Sequence, residues 1–263
     1  MPLILGSDVS GVVVEAGPGT SRFRPGDAVF GMQTAMGRMG GYAEYVAIDE
    51  RALAAKPANI SHQEAAAVPC AALTAHGALS RIARVGAGSR VTVVGGSGGV
   101  GTYATQLAKA LGGTVTAVTS TGNVALLQSL GADRVIDYKN ERFASVVRDQ
   151  DAVFDTIGKE SLASCRPALA PGGRYITTIP DGRTALQATF SGLLRRVSGG
   201  SIQSAHVVLV QANGADLETI ASLMSKGQIR SVIDTVYPLS EARAAHEKSR
   251  SWRTRGKLVL AVR

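Results

Sequence analysis

The chain has 263 residues, about 1.75 domains at a prior of one per ~150 residues, which is long for one domain and short for two. Hydrophobic residues at 45% and charged residues at 18% exclude a disordered chain and allow a sizeable core. The net charge of +8 raises nucleic acid or a membrane surface as partners. The basic residues are scattered, however, and the densest group, Arg250, Arg253, Arg255 and Lys257, has only Trp252 among it, so neither partner is expected.

The first 60 residues read as short strands cut by turns: Val12 to Glu15, then Gly17-Pro18-Gly19, then Pro25-Gly26-Asp27 ahead of Ala28 to Phe30. Gly40-Gly41 precedes a further expected strand, Tyr42 to Val46. Ser61 with Glu64 forms a capping-box pattern ahead of an alanine-rich helix through Ala67. From about residue 90, apolar strands alternate with helices. The strands are Arg90 to Val94, Thr114 to Thr119, Arg134 to Ile136, Ala152 to Phe154 and Arg174 to Thr178. The helices run from about Gly99 to Leu111 and Asn123 to Leu130. Strands without polar alternation are buried on both faces, the mark of a parallel, doubly wound α/β sheet. A strand at Val207 to Val210, a helix from Ala215 to Lys226 ended by Gly227, and strands at Ile233 to Tyr237 and Leu258 to Val262 complete the chain.

Val91-Thr92-Val93-Val94 runs straight into Gly95-Gly96-Ser97-Gly98-Gly99-Val100-Gly101, a GxGxxG pattern at Gly96, Gly98 and Gly101 that follows a strand and opens a helix. The first glycine permits the tight turn, the second lets backbone approach a pyrophosphate, and the third lets helix pack on strand. The helix N-terminus offers N–H groups and a positive dipole end to the phosphates. No Gly-Lys-Ser/Thr follows, so a nucleoside triphosphate is disfavoured. An NAD-preferring site carries an acidic residue at the end of the second strand. Here that strand ends Thr119-Ser120-Thr121-Gly122-Asn123, and no acidic residue occurs from Thr102 through Ala132. NADPH is therefore expected ahead of NADH, with Ser120, Thr121 and Asn123 either contacting the 2′-phosphate or simply ending the strand and capping the next helix.

These stretches, with Leu5-Gly6-Ser7-Asp8-Val9-Ser10-Gly11, Arg24-Pro25-Gly26-Asp27, Gly41-Tyr42-Ala43-Glu44-Tyr45, Leu73-Thr74-Ala75, Leu130-Gly131-Ala132-Asp133, Ile136-Asp137-Tyr138, Pro171-Gly172-Gly173-Arg174 and Gly256-Lys257, resemble the medium-chain dehydrogenases/reductases, specifically the zinc-independent quinone oxidoreductase branch. The resemblance covers essentially the whole chain. It implies a GroES-like β-barrel catalytic domain (residues 1–66 and 228–263) and a Rossmann dinucleotide-binding domain (residues 67–227), with cofactor and substrate in the cleft between them. In the family the opening Pro2-Leu3-Ile4-Leu5-Gly6 falls inside the barrel, so the resemblance implies a barrel without its first strands, an N-terminally truncated member. Backbone at Ser97, Gly99 and Val100 would hold the pyrophosphate, Ser120 and Tyr138 would contact the adenosine ribose phosphate, and Thr74 would lie near the nicotinamide. Relatives often place a cation at or beside the positions of Gly122 and Asn123. This chain has none there, and Arg253 or Arg255 could compensate.

Zinc-dependent members bear Gly-His-Glu where this chain has Gly6-Ser7-Asp8, and the cysteine cluster of the structural zinc site is absent, so no metal is expected. His62, His76, His206 and His246 show no ligand spacing and read as surface or packing residues. Cys70 and Cys165 are far apart and in no CxxC pattern, which suits a reducing, cytoplasmic setting. No apolar run approaches the ~18 residues of a membrane span, and no secretory signal is visible. The expected activity is metal-free hydride transfer from NADPH to a small quinone, enone or similar carbonyl acceptor, with no catalytic residue assignable from the sequence. The alternatives are an NADPH-binding sensor or interaction protein with impaired catalysis and, third, a zinc-type alcohol dehydrogenase. The branch commonly forms dimers through the Rossmann sheet edge, which makes a homodimer the natural assembly to test.

Overall fold

A computed structural model describes residues 4–33, 40–179, 187–188 and 200–262. The chain divides into two compact units, residues 1–73 with 210–263 and residues 74–209.

The second unit is built on six parallel strands: β4 (Arg90–Val94), β5 (Thr114–Thr119), β6 (Arg134–Asp137), β7 (Gln150–Asp155), β8 (Leu169–Thr177) and β9 (Ser204–Val207). Their order, β6-β5-β4-β7-β8-β9, is that of a doubly wound sheet. Strand β4, the first strand of this unit in chain order, sits between β5 and β7, so the chain reverses its direction of travel there. Ligands in such folds bind at the carboxyl ends of the strands beside this switch point. The sheet is apolar on both faces: Val91, Val93, Val115, Ala117, Val153 and Phe154 are all buried. Helices α3 (Gly99–Ala110), α4 (Val124–Ser129), α5 (Phe143–Val146) and α6 (Leu162–Cys165) form the crossovers. Helix α2 (Pro69–His76) leads into this unit and runs on as a π-helical turn, Gly77–Ala83.

The first unit carries a three-stranded antiparallel sheet, β1 (Asp8–Val12), β2 (Ala28–Met32) and β3 (Leu53–Ala55), and a parallel pair, β10 (Ile233–Pro238) and β11 (Lys257–Ala261). Helix α1 (His62–Ala66) begins at the expected capping box, in which Ser61 Oγ accepts from the Glu64 N–H at 3.2 Å and Glu64 Oε2 accepts from the Ser61 N–H at 2.8 Å. Helix α7 (Gly214–Ser225) is capped by Asn213 and packs on β3, and α8 (Ala242–Arg250) packs on β10 and β11.

Three expected strands differ. The first ends at Val12, after which Val13 turns to bond Asp27 and Gly26. Residues 42–46 form no strand despite their β-favouring composition. The N–H groups of Gly40 and Gly41 both bond the Gly6 carbonyl, and that of Tyr42 bonds the Leu5 carbonyl, a loop pairing that leaves no ladder to extend. The strand placed at 207–210 begins at Ser204 and ends at Val207, leaving Leu209 exposed. The compact units also part at 73/74 and 209/210, whereas the sequence boundaries stood at 66/67 and 227/228. The contacts of α7 with β3 keep that helix with the first unit.

One buried carboxylate organises the carboxyl end of β7. Asp155, fully buried, accepts the N–H groups of Ile157 (3.0 Å), Gly158 (2.9 Å) and Glu160 (2.8 Å) and lies 3.2 Å from the Tyr175 hydroxyl. Asp155→Ala strands those donors in the interior, and we expect a loss of roughly 3 kcal/mol and a thermal midpoint lower by roughly 6–12 °C in calorimetry. A change below 2 °C would remove Asp155 from this role.

Candidate functional site

The glycine loop joins β4 to α3 at the switch point. Gly95 adopts φ +77°, and a Cβ there would fall 2.7 Å from Thr156 Oγ1, the side chain that crosses from β7 to bond the Val94 carbonyl at 2.9 Å. A Cβ on Gly96 would meet Leu127 of α4 at 2.9 Å, and one on Gly101 would lie 2.1 Å from the Gly95 carbonyl oxygen and 2.7 Å from Gly96 Cα. The third glycine therefore does what its position in the motif requires, bringing α3 against the turn. Gly98 differs from its neighbours. Its Cβ would meet only the Gly95 carbonyl, at 3.4 Å, so its other side is open to an approaching group. In the first turn of α3, Gly99, Val100 and Gly101 have no acceptor four residues earlier within the helix. The residues present thus fit a dinucleotide: a backbone cradle stripped of side chains, with free N–H groups and a positive dipole end.

The expected adenosine-side residues gather in this same unit. Ser97 Oγ accepts from Thr119 Oγ1 (2.9 Å) and from Asn123 Nδ2 (3.1 Å), and Asn123 Nδ2 also lies 3.3 Å from Ser120 Oγ. These bonds tie the glycine loop to the turn that ends β5. The Tyr138 N–H donates to the Thr119 carbonyl at 3.0 Å, and the residue is 61% exposed. Thr121 behaves otherwise. Its hydroxyl bonds Asp137 Oδ2 at 2.6 Å, so its one proton is already committed. Thr74 is buried in α2. Arg253 and Arg255 belong to the first unit, between α8 and β11, where their N–H groups donate to Ser251 Oγ and Asp234 Oδ2.

Two family-model matches cover most of this frame: one described as an alcohol dehydrogenase GroES-like domain at residues 1–58, the other as a zinc-binding dehydrogenase at residues 130–260. A chloroplastic quinone oxidoreductase of Triphysaria versicolor is 35% identical over 98% of this chain and 80% of its own length. A mitochondrial NAD(P)H oxidoreductase of Homo sapiens is 34% identical over 99% of this chain and 71% of its own. The solved quinone oxidoreductase of Coxiella burnetii superposes with a TM-score of 0.86 at 34% identity, over the whole chain and 80% of that structure. The chain belongs to the medium-chain dehydrogenase/reductase superfamily, in its quinone oxidoreductase-like branch. It is an NAD(P)H-dependent oxidoreductase of α/β class, a Rossmann-type parallel sheet joined in sequence to a GroES-like domain.

Where zinc-dependent members of the superfamily have a histidine and a glutamate, this reductase has Ser7 and Asp8. Asp8 Oδ1 accepts from the Ser7 hydroxyl and the Cys70 N–H, both at 3.1 Å, while Asp8 Oδ2 lies 3.4 Å from Lys257 Nζ. Ser7 offers no imidazole, and Asp8 is already engaged by Ser7, the Cys70 N–H and Lys257, so these two side chains are not a zinc donor set. Among the described residues no group of three His, Cys, Asp or Glu side chains could hold a metal. Three histidines meet hydroxyls: His62 with Ser10 (2.8 Å), His246 with Tyr42 (3.2 Å) and His206 with Ser204 (2.9 Å). Burial, with Glu160 nearby, pushes the Cys165 thiol up to about 12, which excludes it as a nucleophile at neutral pH. Among the described residues no helix is long and apolar enough to cross a membrane.

The sequence pointed to the loop but not to Asp137, Asp155 or the Asp8–Lys257 pair. Asp8 and Lys257 stand 249 positions apart, and only the fold brings them into contact.

Two outcomes follow. Gly101→Ala forces α3 off the turn, and we expect nucleotide affinity to fall at least tenfold in fluorescence titration, with about 2 kcal/mol of lost stability. For Lys257, burial alone would lower the ammonium's pKa. The attraction of Asp8, Cys70 and Tyr42 outweighs it, and the pKa is raised above its ordinary 10.5. The pair's stabilisation is therefore complete below pH 10.5 and is lost as pH rises through the higher folded value. Lys257→Met should flatten the alkaline limb of stability against pH and, by leaving Asp8 unpaired, cost about 3 kcal/mol at neutral pH. An unchanged alkaline limb in urea titrations would show that the pair carries no such linkage.

Proposed function

We propose that the chain is a reductase that uses NADPH in preference to NADH and passes hydride, without a metal, to a small quinone, enone or similar carbonyl acceptor. The observation that carries the cofactor choice is the turn at the end of β5. It presents Ser120 and Asn123 with no carboxylate on the second strand to repel a 2′-phosphate. Backbone N–H groups at Ser97, Gly99 and Val100 hold the pyrophosphate, Gly96, Gly98 and Gly101 allow its approach, and Tyr138 flanks the adenosine ribose. Thr74 serves the nicotinamide end. When bound, the nicotinamide supplies the hydride, and the protein's task is to orient it and exclude water.

The acceptor class is supported by the relatives named quinone oxidoreductases, and the metal-free reading by Ser7, a hydroxyl where zinc-dependent members carry an imidazole. Cys70 and Cys165 are both free thiols, which suits a reducing compartment such as the cytoplasm.

Oxidation of NADPH and NADH followed at 340 nm with a panel of benzoquinones, naphthoquinones and enones, with and without a chelator, tests the whole reading. Turnover with at least one acceptor, a higher kcat/KM for NADPH and no effect of chelation are expected. Tight NADPH binding with no turnover would overturn the enzymatic part, and activity that is lost to a chelator and restored by zinc would overturn the metal-free part.

A further inference from the structure

The turn that would receive the 2′-phosphate contains no cation: its residues are Ser120, Thr121, Gly122 and Asn123. A phosphate dianion held by neutral donors alone is weakly bound, since charge-assisted bonds are roughly twice as strong as neutral ones. The structure shows which neighbouring groups are committed elsewhere.

Asp137 ends β6 directly beside the turn. Its Oδ2 accepts from Thr121 Oγ1 at 2.6 Å and from Asn140 Nδ2 at 2.9 Å, and its Oδ1 accepts from the Lys139 N–H at 3.0 Å. The Asn140 N–H closes a tight turn onto the Asp137 carbonyl at 3.0 Å, and the Tyr138 N–H fastens that turn to β5 through Thr119. A consequence follows from counting protons. Thr121 has one hydroxyl proton and gives it to Asp137, so it has none for a phosphate. Asp137 already accepts from three donors. Its role is to lock the end of β6 to the end of β5.

This lock places the exposed residues 138 and 139 next to the Ser120–Asn123 turn. The Lys139 N–H bond to Asp137 sets this residue in the neighbourhood, and Lys139 also bears on the carboxylate electrostatically. Among the described residues its ammonium makes no ion pair within 4.0 Å. Two other cations near β6 are engaged elsewhere: Lys109 pairs with Asp133 at 2.8 Å, at the opposite end of β6, and the Arg134 guanidinium bonds the Val146 carbonyl.

We propose that Lys139 is the residue that recognises the 2′-phosphate, its ammonium closing on a phosphate held at Ser120 and Asn123, with Asp137 as the positioning residue. The proposal rests on the NADPH reading above. It moves the cation from Arg253 and Arg255, on the other compact unit, to a residue within the nucleotide-binding unit itself.

The test measures dissociation constants of NADPH, NADH, 2′,5′-ADP and 5′-AMP for the unaltered chain, Lys139→Gln, Lys139→Arg and Arg253→Gln. For Lys139→Gln we expect NADPH and 2′,5′-ADP to weaken about tenfold while NADH and 5′-AMP stay within twofold, with Lys139→Arg restoring most of the loss. If the unaltered chain prefers NADPH and Lys139→Gln keeps that preference, the Lys139 assignment is overturned while the NADPH reading stands. A parallel loss in Arg253→Gln would then locate the cation on the other unit. If the unaltered chain binds NADH as tightly as NADPH, and 5′-AMP as tightly as 2′,5′-ADP, both readings are overturned together.

Discussion

Any side chain at residue 101 would have to occupy space already held by the Gly95 carbonyl, and the nucleotide-binding unit depends on that close approach. With hydrogen at that position, α3 starts directly against the turn that ends β4, and its unpaired N–H groups face the carboxyl end of the sheet. The next strand along, β7, meets the same turn through Thr156, so the loop is braced on both sides of the switch point. The loop's shape is a backbone property, set by how closely two main-chain segments can pass.

The same unit handles its polar groups by commitment. Asp155 and Asp137 sit at the carboxyl ends of β7 and β6, and each accepts three nearby donors. A carboxylate satisfied in this way costs little to keep near a binding site. Asp137 differs in remaining partly accessible and in having a cation beside it, which makes its surroundings a place where cofactor preference can be set. In the first unit, Asp8 plays a comparable part, joining β1, the start of α2 and β11 through Ser7, the Cys70 N–H and the Lys257 ammonium. A superfamily position that elsewhere supports metal binding has here become an ion pair within the protein.

Much of the fold was legible because its signals are local. A strand buried on both faces reads as an apolar run, a capping box reads as Ser61 with Glu64, and the end of α7 reads as Gly227, which adopts φ +67°. Errors fell where tertiary hydrogen bonding overrides propensity. Residues 42–46 have β-favouring composition, but their neighbours Gly40 and Gly41 are drawn to the Gly6 carbonyl. Helix α7 looks by position like part of the nucleotide-binding unit, yet it packs on β3.

The amino-acid sequence alone determined the kind of fold, the order of its strands along the chain, the glycine loop and the absence of a carboxylate on the second strand, because each depends on residues within a few positions of one another. The folded structure decided which polar groups are spent and which are left over. Thr121 looks like a phosphate donor in the sequence and proves to be bonded to Asp137, sixteen residues away. Lys257 meets Asp8 from the far end of the chain. A side chain's available protons and lone pairs are fixed by its neighbours in space, and those neighbours are set by packing over distances that local sequence does not record.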